Sequence, residues 1–136
     1  MCTMTERAEI LLPSTSAAPA VARTFARDNG CVGHASAVLD EAQLLISELV
    51  TNSVRYGRPP IVLSVECDGG GGMRVRVRDG SPVVPRARQA AEVDEAGRGL
   101  GLVHDLSAVW GVEPVDDRYG TGKAVWFDLA AEPRDV

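Results

Sequence analysis

The sequence predicts an α+β fold: a two-layer sandwich in which a mixed, mostly antiparallel sheet is covered on one face by helices. Three observations predict it. A helical repeat of apolar residues runs from Leu39 to Ser53 and ends at Gly57-Arg58-Pro59-Pro60. Two strand-like runs, 61–67 and 73–79, flank Asp68 and four glycines, which reads as a hairpin. A second pair of strand-like runs closes the chain. The order β, α, α, β, β, loop, α, β, β is that of a sheet with helices packed on it rather than of alternating crossover units. With 136 residues the chain fits a single domain over 1–136, with its core at about 8–129 and a frayed tail at 130–136.

Taken in order, residues 8–12 are a short apolar run stopped by Pro13, an expected edge strand. Ser14, Thr15 and Ser16 offer N-caps, Pro19 suits a first helical turn, and Asn29-Gly30 is a stop, so a helix is expected over 17–28. In the next helix Leu39, Ala42, Ile46, Leu49, Val50 and Ser53 define one face. The strand 73–79 alternates apolar residues with Arg74, Arg76 and Arg78, so one side should be buried and the arginines should face water. Residues 80–97 lose all periodicity and contain Pro82 and Pro85, the pattern of a long loop that serves as a lid. A short helix is expected from 99 or 100 to about 109. Strands at 110–115 and 123–129 follow, joined by a polar turn over 116–122.

Composition excludes several classes. The formal charge is −5 and the isoelectric point near 5.0, which argues against a broad phosphate-backbone surface and direct nucleic-acid binding. Cys2, Cys31 and Cys67 are odd in number and lack metal-ligand spacing, so reduced thiols in a cytoplasmic protein are expected. No leader pattern and no apolar run of spanning length is present, so no membrane role is expected. His34 and His104 have no ligand-spaced partner, Trp110 reads as core, and Arg86 and Arg88 as solvated.

Four places can carry chemistry, and each has a plain alternative. Glu48 and Asn52 stand four apart on one helix face, opposite the apolar stripe but beside Leu44 and Leu45. They suit the floor of a pocket, with an amide oxygen for Mg2+ and a carboxylate to orient a hydroxyl, or else a solvated face. Asp79 ends a strand before Gly80: an acceptor for an exocyclic amine, or a turn. Gly97-Arg98-Gly99-Leu100-Gly101 precedes a helix, where unpaired N–H groups and the helix dipole favour phosphate; a hinge is the alternative. The spacing matches neither the dinucleotide fingerprint nor a P-loop. Gly120-Thr121-Gly122-Lys123 is also not a P-loop and is either a hairpin turn or a pocket rim carrying the Thr121 hydroxyl.

Together and in this order the four resemble the GHKL, or Bergerat-fold, ATPases. Glu48-Leu49-Val50-Thr51-Asn52-Ser53-Val54-Arg55-Tyr56-Gly57 resembles the N-box of the anti-sigma-factor serine/threonine kinase branch. Val77-Arg78-Asp79-Gly80 with Pro82 and Pro85 resembles the adenine-binding G1 box. Gly97 to Val103, running on to Trp110-Gly111-Val112, resembles the G2 box of short actinobacterial members, and Gly122-Lys123-Ala124-Val125-Trp126 the closing strand. The resemblance covers about 17–129. It implies that Glu48 is the general base and that Asn52 binds Mg2+ bridging the phosphates. It implies that Asp79 with Gly80 holds adenine, and that Gly97, Arg98, Gly99, Leu100 and Gly101 frame the lid and phosphate loop. Thr121 would close the adenine end. One departure stands out: the superfamily writes Asp-x-Gly-x-Gly, and here Ser81 replaces the first of those spaced glycines, which puts a side chain near the purine.

By this resemblance the expected activity is transfer of the γ-phosphoryl of Mg-ATP to a Ser or Thr of a small STAS-type antagonist protein. A sigma factor would be the second partner, and a homodimer is implied. A regulatory module that binds ATP and docks a partner without transfer is the alternative, which Ser81 favours. A histidine-kinase fragment fits less well, because no helix pair with a phospho-accepting His precedes the domain.

Overall fold

The computed structural model describes residues 7–29, 38–67, 72–82 and 109–129. Five strands and two helices make up these segments: β1 (Ala8–Leu12), α1 (Ala18–Asn29), α2 (Leu39–Tyr56), β2 (Ile61–Cys67), β3 (Met73–Asp79), β4 (Val109–Asp117) and β5 (Gly120–Leu129). The sheet order is β1-β2-β3-β5-β4, and every pairing among the described strands is antiparallel. The fold is thus α+β, with β1 at the expected edge.

Strand alternation sorts the sheet into two faces. Ile61, Leu63 and Val65 of β2, Met73, Val75 and Val77 of β3, and Val125, Phe127 and Leu129 of β5 join the core beneath the helices. They meet Ala42, Leu45, Ile46, Leu49 and Val50 of α2 and Ala18, Ala22 and Ala26 of α1. Each fully buried Leu, Ile or Phe contributes about 1.5–3 kcal/mol. The three alanines of α1 lie four residues apart, which keeps that helix close to α2. Gln43 Nε2 donates to the Arg23 carbonyl at 3.2 Å, and Arg23 Nη1 to Ser47 Oγ at 2.9 Å, tying the two helices together.

Local chemistry fixes the helix ends. Thr15 opens α1: its carbonyl accepts from Ala18 N at 3.0 Å and its Oγ1 from Ala17 N at 3.2 Å. Asn29 closes it by donating to the Phe25 carbonyl. Asp40 and Glu41 in the first turn of α2 and Arg55 in its last complement the helix dipole. The chain leaves α2 at Gly57, whose N–H donates to the Ser53 carbonyl at 3.0 Å.

Two sequence expectations need correction. The C-terminal strands extend further than 110–115 and 123–129, because the turn between them is only Arg118-Tyr119. Asp117 Oδ1 accepts from Tyr119 N at 3.0 Å, and Gly120 takes a φ of +100°, which other residues rarely adopt. That compact turn leaves 120–122 free to join β5. The second correction concerns β3. Arg78 does not face water but is 1% exposed, the largest fully buried side chain among the described residues. Its guanidinium is held by the hairpin tip: Nε and Nη2 donate to Asp117 at 3.1 and 2.7 Å, Nη2 also donates to the Gly120 carbonyl, and the Tyr119 ring lies 5.5 Å away, while Nη1 is buried with no hydrogen-bond partner among the described residues. The expected helix at 99–109 lies outside the described residues, except that Val109 begins β4.

Candidate functional site

At the end of β3 the core face changes from apolar to charged. Asp79 occupies the same face as Val75 and Val77, yet it is 1% exposed. A carboxylate buried there needs partners, and it has three. Ser53 Oγ, from the last turns of α2, donates to Oδ2 at 2.9 Å. Lys123 Nζ, from β5, meets the same oxygen at 2.5 Å. The Ser81 N–H donates to Oδ1 at 2.9 Å, a local turn that the Asp-Gly-Ser order makes possible.

Glycines let three segments converge on this carboxylate. A side chain on Gly57 would collide with the Asp79 carboxyl group, one on Gly80 with the Pro59 carbonyl, and one on Gly122 with the Asp79 backbone. The Gly80 N–H also donates to the Arg58 carbonyl at 2.6 Å, so the loop after α2 is stitched to the end of β3. The result brings the N-terminal half of the chain (α2 and its exit loop) against the strand that ends at Asp79.

Glu48 and Asn52 are both half-buried on α2, and Asn52 immediately precedes the Ser53 that bonds Asp79. The structure thus ties the end of α2 to Asp79 and Gly80 through Ser53, with Asn52 next to that contact in sequence and Glu48 one turn before Asn52, near the middle of the helix. Thr121 lies on the helix side of β5 by alternation, two residues before Lys123, and is exposed. Gly97, Arg98, Gly99, Leu100 and Gly101 lie outside the described residues. Among the described residues no group of three or more His, Cys, Asp or Glu side chains could hold a metal ion by itself.

The opposite face of the sheet stiffens the same corner. Arg78 precedes Asp79 and grips the β4–β5 turn from below, and its hydrogen bonds hold the Asp117 carboxyl below the usual carboxylate range. Further along, Arg74 forms a bidentate pair with Asp128 at 2.6 and 2.9 Å and stacks on Trp126 at 4.7 Å. That pairing raises the Arg74 pKa, the Asp128 hydrogen bond being the main cause.

Three residues of this corner escaped the sequence reading: Ser53, Arg78 and Lys123. Periodicity puts Ser53 on the core stripe of its helix, where it does lie. Arg78 was hidden by the alternation, though Asp117 in the following hairpin was a candidate partner. Lys123 reads as the start of the closing strand, just after a segment that is either a hairpin turn or a pocket rim. Its place opposite Asp79 comes from the pairing of β3 with β5, strands that are not consecutive in the chain, and no local signal reveals it.

A carboxylate has about four lone-pair positions, and the three partners leave one on Oδ1 for an exocyclic amine. Compared with known families, residues 12–127 match the one described as Histidine kinase-like ATPase domain. A search of the curated proteins gives no match.

Proposed function

The chain belongs to the histidine kinase-like ATPase domain family, an ATP-binding family of the GHKL type, and from that premise we propose that it is a regulatory protein serine/threonine kinase of the anti-sigma branch. The observation that carries the reading is the juxtaposition of the Glu48–Asn52 helix with the buried carboxylate of Asp79 through Ser53. ATP, when bound, supplies the phosphoryl group.

The residues of this chain divide the work. Asp79, buried and held from three sides, accepts from the adenine amine without reorganising. The side-chain oxygen of half-buried Asn52 would be a hard ligand for Mg2+, which takes one or two protein oxygens together with phosphates. Glu48, one turn before Asn52, accepts the proton of the attacking hydroxyl. Phosphoryl transfer asks chiefly for positioning and charge neutralisation, which one base, one metal ligand and a rigid purine anchor can supply. Gly97, Arg98, Gly99, Leu100 and Gly101 take the phosphate side by resemblance. The acceptor is a Ser or Thr of a STAS-type antagonist, and the other partner is a sigma factor. A homodimer and a cytoplasmic setting belong to the same proposal; no helix of the described residues is long and apolar enough to cross a membrane.

A second reading, an ATP-binding module that docks a partner without transfer, is favoured by Ser81, which stands in the G1 box and is buried against Asp79. One incubation separates the two. Labelled ATP, Mg2+ and the candidate antagonist give label on a partner Ser or Thr, lost in Glu48→Ala, if the kinase reading holds. Nucleotide binding without transfer supports the module.

A further inference from the structure

Lys123 is directly opposite Asp79 in the antiparallel β3–β5 register, so both side chains rise from the same face of the sheet. The Lys123 side chain is 14% exposed and its ammonium rests on Asp79 Oδ2 at 2.5 Å. Ser53 and Lys123 share Oδ2, while Oδ1 accepts only the Ser81 N–H among the described residues. An acceptor position on Oδ1 therefore stands next to an ammonium that has three N–H donors and sends one to Asp79.

Adenine presents the complementary pair on its edge: an exocyclic amine that donates and, beside it, the ring nitrogen N1 that accepts. We propose that Lys123 is a specificity-determining residue of the purine pocket, donating to N1 while Asp79 accepts from the neighbouring amine. This rests on the nucleotide reading above. An isolated carboxylate recognises any donor of suitable reach. A carboxylate paired with a donor recognises a donor–acceptor sequence, and guanine in the same orientation offers the reverse one, O6 accepting and N1–H donating. The pairing also explains why a lysine tolerates this depth. Its charge is balanced by Asp79 before the ligand arrives, so the donor is oriented in advance.

The test compares ATP with 1-deaza-ATP, in which N1 is replaced by C–H, by calorimetric titration of the full chain. The wild type should bind the analogue roughly 10- to 100-fold more weakly, the range for a hydrogen bond to a charged donor. In Lys123→Met, which keeps the stem and removes the donor, ATP should weaken and the two ligands should bind alike. Nitrogen NMR of ATP labelled at N1 adds a readout on the wild type alone: the resonance should move on binding as a hydrogen-bonded ring nitrogen does. This arm decides the matter if the Met variant does not fold. Equal wild-type affinity for the two ligands, discrimination that survives in Lys123→Met, or an N1 resonance unmoved in the complex would each overturn the role of Lys123 while leaving the site intact. A wild type that binds neither ligand overturns the nucleotide reading, and the role of Lys123 with it.

Discussion

Gly57 adopts a φ of −95°, open to any residue, so its lack of a side chain answers to space rather than to backbone conformation. A Cβ built there lies 2.7 Å from Asp79 Cγ, closer still to Oδ2, and 2.9 Å from the Ser53 carbonyl oxygen. Relaxed contacts between carbon atoms are about 3.5–4.0 Å. Neither neighbour can move cheaply. The Ser53 carbonyl accepts the Gly57 N–H that closes α2, and the Asp79 carboxylate is buried and bonded to Ser53, Ser81 and Lys123. Overpacking of this kind costs about 1–3 kcal/mol. Relief requires Asp79 to shift, which loosens its hydrogen bonds and removes the purine anchor from its place. Gly57→Ala should thus lower unfolding stability by about 1–3 kcal/mol and the midpoint by roughly 4 °C for each kcal/mol. ATP affinity should fall by about tenfold or more, the worth of one good charged hydrogen bond. Gly120→Ala is the control. No atom lies within 4 Å of its Cβ position, but φ is +100°, so it should cost about 1 kcal/mol of stability through strain and leave ATP affinity unchanged. Thermal melts and calorimetric titrations on both variants give the answer. Wild-type ATP affinity in Gly57→Ala, or an equal loss in Gly120→Ala, refutes the reasoning.

Other perturbations probe separate parts of the corner. Arg78→Met removes a buried guanidinium from Asp117, whose side chain is 34% exposed and can return to water, so urea denaturation should show a loss of about 1–3 kcal/mol rather than the larger penalty of stranding a deeply buried charge; an unchanged midpoint would remove Arg78 from the account. The depressed Asp117 pKa adds stability above the unfolded carboxylate value of about 3.9, and that stability is lost as pH falls through the folded value. Acid titration of stability should therefore steepen below about pH 4 in the wild type and flatten in Asp117→Asn; parallel curves would contradict it. Glu48→Gln should retain nucleotide binding and lower phosphoryl transfer to the antagonist by about 10²–10⁴-fold, a range typical of a lost general base. Transfer at the wild-type rate would move the base elsewhere.

Most of the fold was legible because its signals are local. The bounds of β1, β2 and β3 follow from Pro13, the paired prolines at 59–60 and the glycines at 69–72, residues that end strands by backbone chemistry alone. Helix α2 declares itself by periodicity and by Gly57. What stayed hidden depends on contacts between distant segments. Arg78 looks solvated until Asp117, 39 residues later, is seen to fold back on it. Lys123 looks like no more than the start of the last strand until β3 pairs with β5 and sets it opposite Asp79, 44 residues away. The site motifs were readable as a set, Glu48, Asn52 and Asp79 among them, but the means of holding Asp79 was not, since Ser53 serves the core stripe and the site at once.

Calorimetric titration of ATP and ADP, with and without Mg2+, into the wild type and Asp79→Ala tests the central claim most directly. One saturable site is expected in the wild type, tightened for the triphosphate by Mg2+ and weakened by about tenfold or more in a folded Asp79→Ala. Absence of binding to the wild type, or the same affinity in the folded variant, would show that the buried carboxylate at the end of β3 is not the purine anchor.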